Sequence, residues 1–392
     1  MEKSDISPKV QAIWKEMIGW RRHLHQFPEL SFQEYETSTF VEEKLRSFGN
    51  IEVSRPTKTS VMGIVKGKTP GRIIALRADI DGLPIEEKND LPYTSQNPGV
   101  MHACGHDGHT AILLATAKII SNMASEFSGE VRFLFQHAEE LPPGGAVEMV
   151  KAGVMDGVEE VYGLHLTSNY PTCTFGVREG ALTSATDRFD ITVKGKGGHS
   201  AFPEICTDPI VMGAQIITAL QHIVARQTAA VEPVVLSVCM VSAGQAYNII
   251  PDVMQITGST RTFDRKIREE LPEKMEQIVR GITSSYGAGY EFLFSKGYAS
   301  VMNDHDLTLK VEKLLTDHFG KDRVIHIGPL MPGEDFSAFS ELCPGFFVEL
   351  GTRNEEKGCD KPHHNRNYKL DEEALLYGVE FFTFLIQNRL SR

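Results

Sequence analysis

In the first part of the chain, apolar residues recur in two kinds of pattern, one typical of helices and one typical of strands. Ser7-Pro8 predicts the start of a helix that continues to about Gln26, because Pro is favoured at the first helical position. Further along, short apolar runs alternate with helical patterns. Helices are predicted over 33–48, 109–123 and 146–152, and strands over 72–78, 130–136 and 158–165. Such alternation is typical of a sheet rich in parallel strands.

A different pattern begins near residue 187. Phe189, Ile191 and Val193 alternate with polar residues, as in a half-exposed strand. Helices are predicted over 207–228 and 272–286, and further strands over 234–241, 253–262 and 290–294. The resulting order β-α-β-β-α-β is the ferredoxin-like pattern.

The first pattern returns after about residue 299, where helices are predicted over 306–319 and 372–390 and a strand over 346–350. The simplest arrangement is an α/β domain built from residues 1–186 and 299–392, with a small α+β domain over 187–298 inserted in it. A chain of 392 residues agrees with two domains, because single cores rarely grow beyond about 300 residues.

Composition narrows the classes of function. The formal net charge of −12 argues against nucleic acid, whose phosphates require a surface rich in Lys and Arg. No apolar run approaches the roughly 18 residues of a membrane span, and no apolar core of an export signal is visible near the N-terminus. The cysteines are scattered without a Cys-x-x-Cys pair, which disfavours a disulfide framework. We therefore expect a cytoplasmic protein with neither nucleic acid nor membrane as a partner.

The stretch Met101-His-Ala-Cys-Gly-His-Asp-Gly-His109 concentrates His and Cys directly before a predicted helix. A thiolate and an imidazole are good ligands for borderline ions such as Zn²⁺, and residues two apart on an irregular turn can converge. Cys104 and His106 are therefore a candidate ligand pair. The alternative is a polar loop that merely contains His, which the density of these residues disfavours.

Two adjacent carboxylates follow a predicted strand in Gln136-His-Ala-Glu-Glu-Leu141. Adjacent residues on extended backbone project in different directions. One of Glu139 and Glu140 can therefore bind a metal ion while the other takes a proton from water, as metal-assisted hydrolysis requires. An isolated pair of this kind is more often simply solvated, but the neighbouring His/Cys cluster favours the catalytic interpretation.

Histidines elsewhere are weaker candidates. A lone His at the end of an apolar strand, as predicted for His165, is more often a core residue than a ligand, but ligands of α/β proteins collect at this end of parallel strands. His363 and His364 lie in a loop before the last helix, and either can complete the site. His199 follows a Gly-rich turn in the inserted domain, from which it could donate to an oxygen that gains charge, although a flexible hairpin with an incidental His is the alternative. Spacing alone predicts a metal-dependent hydrolase and leaves its substrate open.

A series of motifs strengthens this prediction by resemblance. They are Arg77-Ala-Asp-Ile-Asp-Gly-Leu-Pro84, His102–His109, Gln136–Glu140, Gly163–His165, Gly197-Gly-His-Ser-Ala-Phe-Pro203, Asn248-Ile-Ile-Pro251 and Gly333-Glu-Asp-Phe336. Over almost its whole length the chain resembles the aminoacylase, hippurate hydrolase and indoleacetyl-amino-acid hydrolase family of metal-dependent amidohydrolases, relatives of the two-zinc carboxypeptidases. The resemblance implies an α/β catalytic domain of zinc-exopeptidase type, an inserted ferredoxin-like lid domain, and hydrolysis of the amide bond of N-acyl amino acids.

The resemblance also implies a role for each candidate residue. Cys104 would bridge two divalent metal ions, and His106, Glu140 and His165 would bind one ion or the other. Glu139 would be the general base and acid that activates the attacking water.

In the inserted domain, the resemblance implies that His199 stabilises the oxyanion, and that Asn248 and Arg261 lie near the substrate carboxylate. In some relatives the equivalent of His199 acts across a dimer interface. A homodimer or homotetramer formed through the lid domain is therefore compatible with the resemblance.

The family spacing selects the last metal ligand. Relatives carry an aromatic residue four positions after this His and Asp-Glu at plus seven and eight. Counting from His364 places Tyr368 and Asp371-Glu372 at these positions, whereas counting from His363 does not. We predict His364 as the ligand, with His363 as the alternative.

Several alternatives stay open at this point. A carboxypeptidase or dipeptidase would use the same site, with a different pocket for the acyl side. A non-catalytic binding protein with a structural metal would need a missing base or ligand. The donor set suits Zn²⁺, Co²⁺ or Ni²⁺ through its thiolate and allows Mn²⁺ through its carboxylates, so the sequence does not name the metal. The acyl group and the amino acid are also undetermined.

Overall fold

The computed structural model describes residues 6–390, and contacts between Cα atoms divide the chain into two units. The first unit comprises the described parts of Met1–Leu182, Val301–Gly328 and Asp335–Arg392. The second comprises Thr183–Ser300 and Pro329–Glu334, whereas the predicted inserted segment spans 187–298. The outer limits of the predicted α/β domain, residues 1–5 and 391–392, lie outside the described residues.

The first unit contains helices on both sides of the insertion. They are α1 (Pro8–Gln26), α2 (Tyr35–Ser47), α3 (His106–Asn122), α4 (Gly145–Lys151), α7 (His305–Phe319), α8 (Ser337–Ser340) and α9 (Ala374–Leu390). Its strands are β1 (Glu52–Ser54), β2 (Val61–Lys66), β3 (Ile73–Asp79), β4 (Glu130–Gln136), β5 (Glu160–Pro171), β6 (Phe175–Val177), β7 (Gly180–Ala181), β14 (Met302–Asn303), β15 (Val324–His326) and β16 (Gly345–Arg353).

Eight of these strands form one mixed sheet in the order β1-β2-β4-β3-β5-β16-β6-β15. The central strands β4, β3, β5 and β16 are parallel, and β2 pairs antiparallel with β4. The predicted parallel-rich α/β sheet is confirmed at its centre, with antiparallel pairs added towards its edges. The central strands are buried over most of their length and are rich in apolar residues, as strands covered on both faces are.

Helix α3 packs in the core of this unit, and almost all of its side chains are buried. Ile112, Leu113 and Leu114 are fully buried in one cluster with Leu76 of β3 and Phe133 of β4. A helix that is apolar on all sides must be covered on all sides. This packing fixes the position of the first turn of α3, which contains His106.

The second unit is an antiparallel sheet with two helices. Its elements are β8 (Ala185–Lys194), β9 (Gly198–His199), α5 (Pro209–Arg226), β10 (Val234–Ala243), β11 (Ile249–Ile250), β12 (Val253–Thr262), α6 (Arg265–Ser285) and β13 (Gly289–Lys296). The four long strands have the order β10-β12-β8-β13, and all their pairs are antiparallel. Apart from the short strands β9 and β11, this confirms the predicted ferredoxin-like order.

Two details of the sequence prediction are wrong. His165 does not end its strand, because β5 continues to Pro171 and β16 pairs along this extension. The last helix of the second unit starts at Arg265 and not at Pro272, since the side chain of Asp264 caps it by accepting from Ile267 N at 2.8 Å. Pro272 is thus accommodated inside a longer helix.

Among the described helices, none is long and apolar enough to cross a membrane.

Candidate metal centre

The candidate ligands of the first unit are carried by neighbouring elements of the sheet. Cys104 and His106 flank Gly105 at the start of α3, while Glu139 and Glu140 follow β4 and His165 lies within β5. Strands β4, β3 and β5 are adjacent and parallel, so their carboxyl ends lie along one edge of the sheet. Ligands of open α/β sheets collect at this edge.

Several donor sets overlap at this site, and two of them share Cys104. Cys104, His106 and His165 have ligand atoms within 4.8 Å of one another, and so do Cys104, Glu140 and His364. Cys104 Sγ lies 3.5 Å from His165 Nε2, about the separation of two ligands on one tetrahedral ion. These two sets contain the five residues that the sequence prediction selected as ligands.

His106 is oriented as metal-binding histidines are. Its Nδ1 lies 2.9 Å from the Asp81 carbonyl oxygen and 3.2 Å from Asp81 Oδ1, so Nδ1 carries the proton and donates. Its Nε2 is buried, has no hydrogen-bond partner among the described residues, and lies 3.9 Å from Glu140 Oε1. An unpartnered buried imidazole nitrogen is costly unless it receives a ligand. The residues therefore fit a bound cation.

The charges around the cluster favour a cation as well. Burial opposes a charge on His106, but Asp79 and Asp81 outweigh it and raise its pKa to about 10. Burial, together with Glu140 and Glu139, raises the pKa of the Cys104 thiol. A thiolate here consequently requires a compensating positive charge, and a divalent ion supplies one.

His165 is kept neutral and is held by its neighbours. Burial, together with His109, lowers the pKa of His165 well below its usual value, which leaves the imidazole in the form that binds metals. Its Nδ1 lies 2.9 Å from the Leu166 carbonyl oxygen. His109 is not one of the donors in the two sets: its Nδ1 contacts Asp79 Oδ1 at 2.6 Å, and its Nε2 accepts from Leu166 N at 2.8 Å. His109 thus fixes the backbone beside His165.

The Glu139-Glu140 pair lies in a left-handed turn. Ala138 has φ 50°, a conformation that costs a non-glycine residue about 1–2 kcal/mol. Three hydrogen bonds hold the turn: Ala138 N donates to Glu34 Oε1 (2.8 Å), Gly145 N donates to the Ala138 carbonyl (3.1 Å), and Glu140 N donates to Asp81 Oδ2 (3.0 Å). The ligand atoms of Glu139, Glu140 and His106 lie within 4.8 Å of one another.

The structure distinguishes the two histidines of the last loop. His364 Nε2 is 3.2 Å from Glu140 Oε1, and its backbone has φ 61° with His364 N donating to the Ala103 carbonyl at 2.9 Å. The His363 ring contacts the rings of His165 and Tyr368, with centroids 5.0 and 5.1 Å away and interplanar angles of 52° and 70°. Only His364 belongs to one of the two donor sets, as far as the described residues are concerned.

A buried polar network supports the cluster, and the sequence prediction missed it. Arg77 donates to Asp79 Oδ2 at 2.8 Å, to Asp335 Oδ1 at 3.0 Å and to Gln136 Oε1 at 2.7 Å. The available signal was the pattern Arg77-x-Asp79-x-Asp81, which runs through the end of the otherwise apolar strand β3 and two residues beyond it. Charged residues spaced by two on a buried strand need partners, and a functional site is where they are found.

The candidates of the second unit are arranged differently. His199 is exposed on β9, which pairs with β11 so that His199 faces Ile249. Ser200 N donates to the Asn248 carbonyl at 3.1 Å, so the two loops that contain His199 and Asn248 are joined. The Nδ1 of His199 accepts from Ala201 N at 3.1 Å, which leaves Nε2 as a donor in the neutral ring. Arg261 lies on β12, in the four-stranded sheet.

Comparisons with known proteins identify relatives of the whole chain. The sequence pattern of "Peptidase family M20/M25/M40" matches residues 75–388. An N-acyl-L-amino acid amidohydrolase of Geobacillus stearothermophilus is 55% identical over 303 residues, which cover 77% of this chain and 82% of the relative. Thermostable carboxypeptidase 1 of Saccharolobus solfataricus is 40% identical over 96% of each chain.

A solved structure is similar throughout. The YxeP protein of Bacillus subtilis, described as a dinuclear metal binding peptidase from the M20 family, is 38% identical, with a TM-score of 0.85. The match covers 97% of this chain and 99% of that one.

Proposed function

Because the chain belongs to peptidase family M20/M25/M40, we propose that it hydrolyses the amide bond of N-acyl amino acids with the help of two divalent metal ions. One observation carries this proposal: two donor sets share Cys104, and Glu139 lies next to them within a third group. This arrangement supports a bridged pair of ions with a carboxylate left for proton transfer. The 55% identity to an N-acyl-L-amino acid amidohydrolase supports the substrate class.

We assign the ligands from the donor sets. Cys104 would contribute to both metal sites, with His106 and His165 completing one and Glu140 and His364 the other. When bound, the ions lower the pKa of water towards neutrality and polarise the scissile carbonyl.

The residues of this chain perform the proton transfers. Glu139 takes a proton from the attacking water and returns it to the nitrogen of the leaving amine. His199 donates through Nε2 to the carbonyl oxygen as it becomes negative. Asn248 and Arg261 bind the carboxylate of the amino acid, for which an amide and a guanidinium are suitable donors.

The substitution Glu139→Gln tests the central assignment. We expect the amide to keep the fold and the metal content while kcat falls by about 10²- to 10⁴-fold, the usual contribution of a general base. Hydrolysis of N-acetyl amino acids and metal analysis of the same sample measure both quantities. Near-normal turnover in this variant would falsify the role of Glu139.

A peptidase is the second candidate, and the carboxypeptidase relative favours keeping it. The same cluster can cleave a peptide bond, because only the acyl side of the substrate differs. Comparing kcat/KM for an N-acetyl amino acid with that for the corresponding unblocked dipeptide separates the two. A higher value for the dipeptide would replace the proposed substrate class.

A non-catalytic metal-binding protein lacks support. It would need a missing base or a missing ligand, yet Glu139 is present and the five candidate ligands fall into the two donor sets.

The donor set supports Zn²⁺, Co²⁺, Ni²⁺ or Mn²⁺ alike. Reloading the metal-stripped enzyme with each ion and assaying a panel of N-acyl amino acids identifies the metal and the preferred substrate together.

We also propose a homodimer formed through the second unit. Strand β10 is an edge of the four-stranded sheet and exposes Met240 and Val241, and edge strands with apolar side chains favour pairing between chains. Light scattering tests this proposal: we expect a dimer for the wild type and a monomer for Val241→Lys. A monomeric wild type would exclude the dimer.

A cytoplasmic location remains part of the proposal and is supported by six unpaired cysteines, all of which lie in the described range.

A further inference from the structure

The short segment between α1 and α2 contacts the turn that carries the Glu139-Glu140 pair. Glu34 is fully buried, and its Oε1 accepts from Ala138 N at 2.8 Å and from Phe32 N at 3.0 Å. Ser31 Oγ, in the same segment, donates to Asp81 Oδ2 at 2.7 Å. That Asp81 oxygen in turn accepts from Glu140 N at 3.0 Å. The segment therefore supports both ends of the turn, one directly and one through Asp81.

The hydrogen bond that Glu34 accepts from the turn is donated by the strained residue, Ala138. Ala138 has φ 50°, which an alanine adopts only where the surroundings impose it. A carboxylate that accepts from the amide of such a residue favours this conformation over a relaxed one. If the turn relaxed, the following residues would change direction, and these are the proposed base Glu139 and the proposed ligand Glu140.

We propose that Glu34 is a positioning residue, which holds the left-handed turn at Ala138 so that Glu139 and Glu140 keep their places beside His106. The proposal rests on the proposed function for the role of the two glutamates. Glu34 itself contacts neither the donor atoms of the two sets nor, in this proposal, the substrate. It acts through the backbone.

Glu29 provides a matched control in the same part of the chain. Its carboxylate also accepts from two backbone amides, Glu36 N at 3.2 Å and Thr37 N at 2.8 Å, but both belong to the start of α2. Glu29→Ala therefore removes a carboxylate of the same kind without touching the turn at Ala138.

The kinetic experiment compares Glu34→Ala, Glu34→Gln and Glu29→Ala at saturating metal. We expect Glu34→Ala to lower kcat about 10- to 100-fold, the usual effect of a residue that orients metal ligands, with KM changed far less. Glu34→Gln keeps a carbonyl acceptor for Ala138 N, so kcat should recover to within a few fold of the wild type. Glu29→Ala should keep kcat and lose only thermal stability. Wild-type kcat in Glu34→Ala, or an equal loss of kcat in Glu29→Ala, would overturn the proposal.

A metal titration gives a readout that does not depend on the substrate. Co²⁺ is titrated into the metal-stripped proteins, and its absorption with the Cys104 thiolate reports binding. We expect Glu34→Ala to bind Co²⁺ about 10- to 100-fold more weakly than Glu29→Ala does, because Glu140 is no longer held. If the wild type hydrolysed no N-acyl amino acid, the proposed function would fail while this titration still tested Glu34. Equal Co²⁺ affinities in the two variants would overturn the positioning role.

Discussion

His106 and His199 are both candidate active-site histidines, yet the chain holds them in different ways. His106 is buried in the first turn of α3, and Asp81 fixes its Nδ1 through two contacts. His199 is exposed on a strand of two residues, and its ring contacts only residues close in sequence in the contacts described, Ala201 N and the Phe202 ring. The buried arrangement of His106 is suited to holding a bound cation in place. The exposed ring of His199 is free to move between different surroundings.

The same contrast extends to the residues around each histidine. The ligand sets of the first unit are supported by buried carboxylates, including Asp79, Asp81 and Glu34. In the second unit, Asn248 and its neighbour Tyr247 are exposed. Preorganised polar groups that cannot reorient are suited to binding ions, whereas exposed loops are suited to admitting and releasing substrate. Substitutions in the first unit should therefore affect metal binding, and substitutions in the second should affect substrate handling.

Cys104→Ala should have the largest effect. It removes the residue shared by both donor sets, so we expect the protein to retain one ion or none and hydrolysis to fall to the rate of the buffer control. Metal analysis after gel filtration and an assay at saturating substrate measure the two losses. Retention of two ions per chain would show that Cys104 is not the bridge.

His364→Ala comes next and separates the two histidines of the last loop. His364 lies 3.2 Å from Glu140 Oε1, so we expect its loss to remove one of the two ions and most of the activity. His363→Ala is the control, because His363 contacts His165 and Tyr368 through its ring and belongs to neither donor set of the described residues. The opposite result, with one ion lost only from His363→Ala, would make His363 the ligand.

His199→Ala should reduce turnover without affecting the metal. Loss of a donor to a developing oxyanion lowers kcat by about 10²- to 10³-fold. Because His199 belongs to no donor set in the described part of the chain, both ions should remain. Metal content and kcat are measured on one preparation. A variant that lost metal would contradict the division between the two regions.

The sequence predicted most of the elements and the donor residues, for reasons that are local. Strands β4 and β12 begin and end where their apolar patterns do, and Cys104 and His106 lie where an apolar helix begins. His165 was misplaced because the polar residues Thr167 and Ser168 resemble the start of a loop. Pairing with β16 continues the strand through them, and such pairing depends on residues far away in the chain.

The supporting carboxylates could not be predicted in the same way. Glu34 is a charged residue in the short segment 27–34 between two helices, and its residue type gives no indication of burial. Its partner Ala138 is 104 residues away, and the hydrogen bond exists only after the sheet has formed. Asp79 and Asp81 carried a signal in their spacing on an apolar strand, but not the identity of their partners. Residues that bind the reacting groups are marked by chemical type, whereas residues that hold them are marked by tertiary structure.

The smallest predicted effect concerns stability and uses the buried carboxyl of Glu34. Burial, together with Asp81, raises the pKa of Glu34 from 4.5 to about 7. Between these values the folded protein retains a proton that the unfolded chain has released, so this group lowers the free energy of unfolding as the pH rises from 4.5 through about 7. Glu34→Gln removes that contribution, which is at most about 3 kcal/mol at pH 8.

We therefore expect the stability of Glu34→Gln, relative to the wild type, to improve between pH 5 and pH 8. Urea unfolding of the metal-stripped proteins at both values measures the change. His199→Ala is the comparison from the exposed region, where no buried carboxyl is removed. A constant difference between Glu34→Gln and the wild type would show that Glu34 ionises alike in the folded and unfolded protein. The surroundings of the turn would then be less isolated from water than the buried hydrogen bonds to Ala138 and Phe32 indicate.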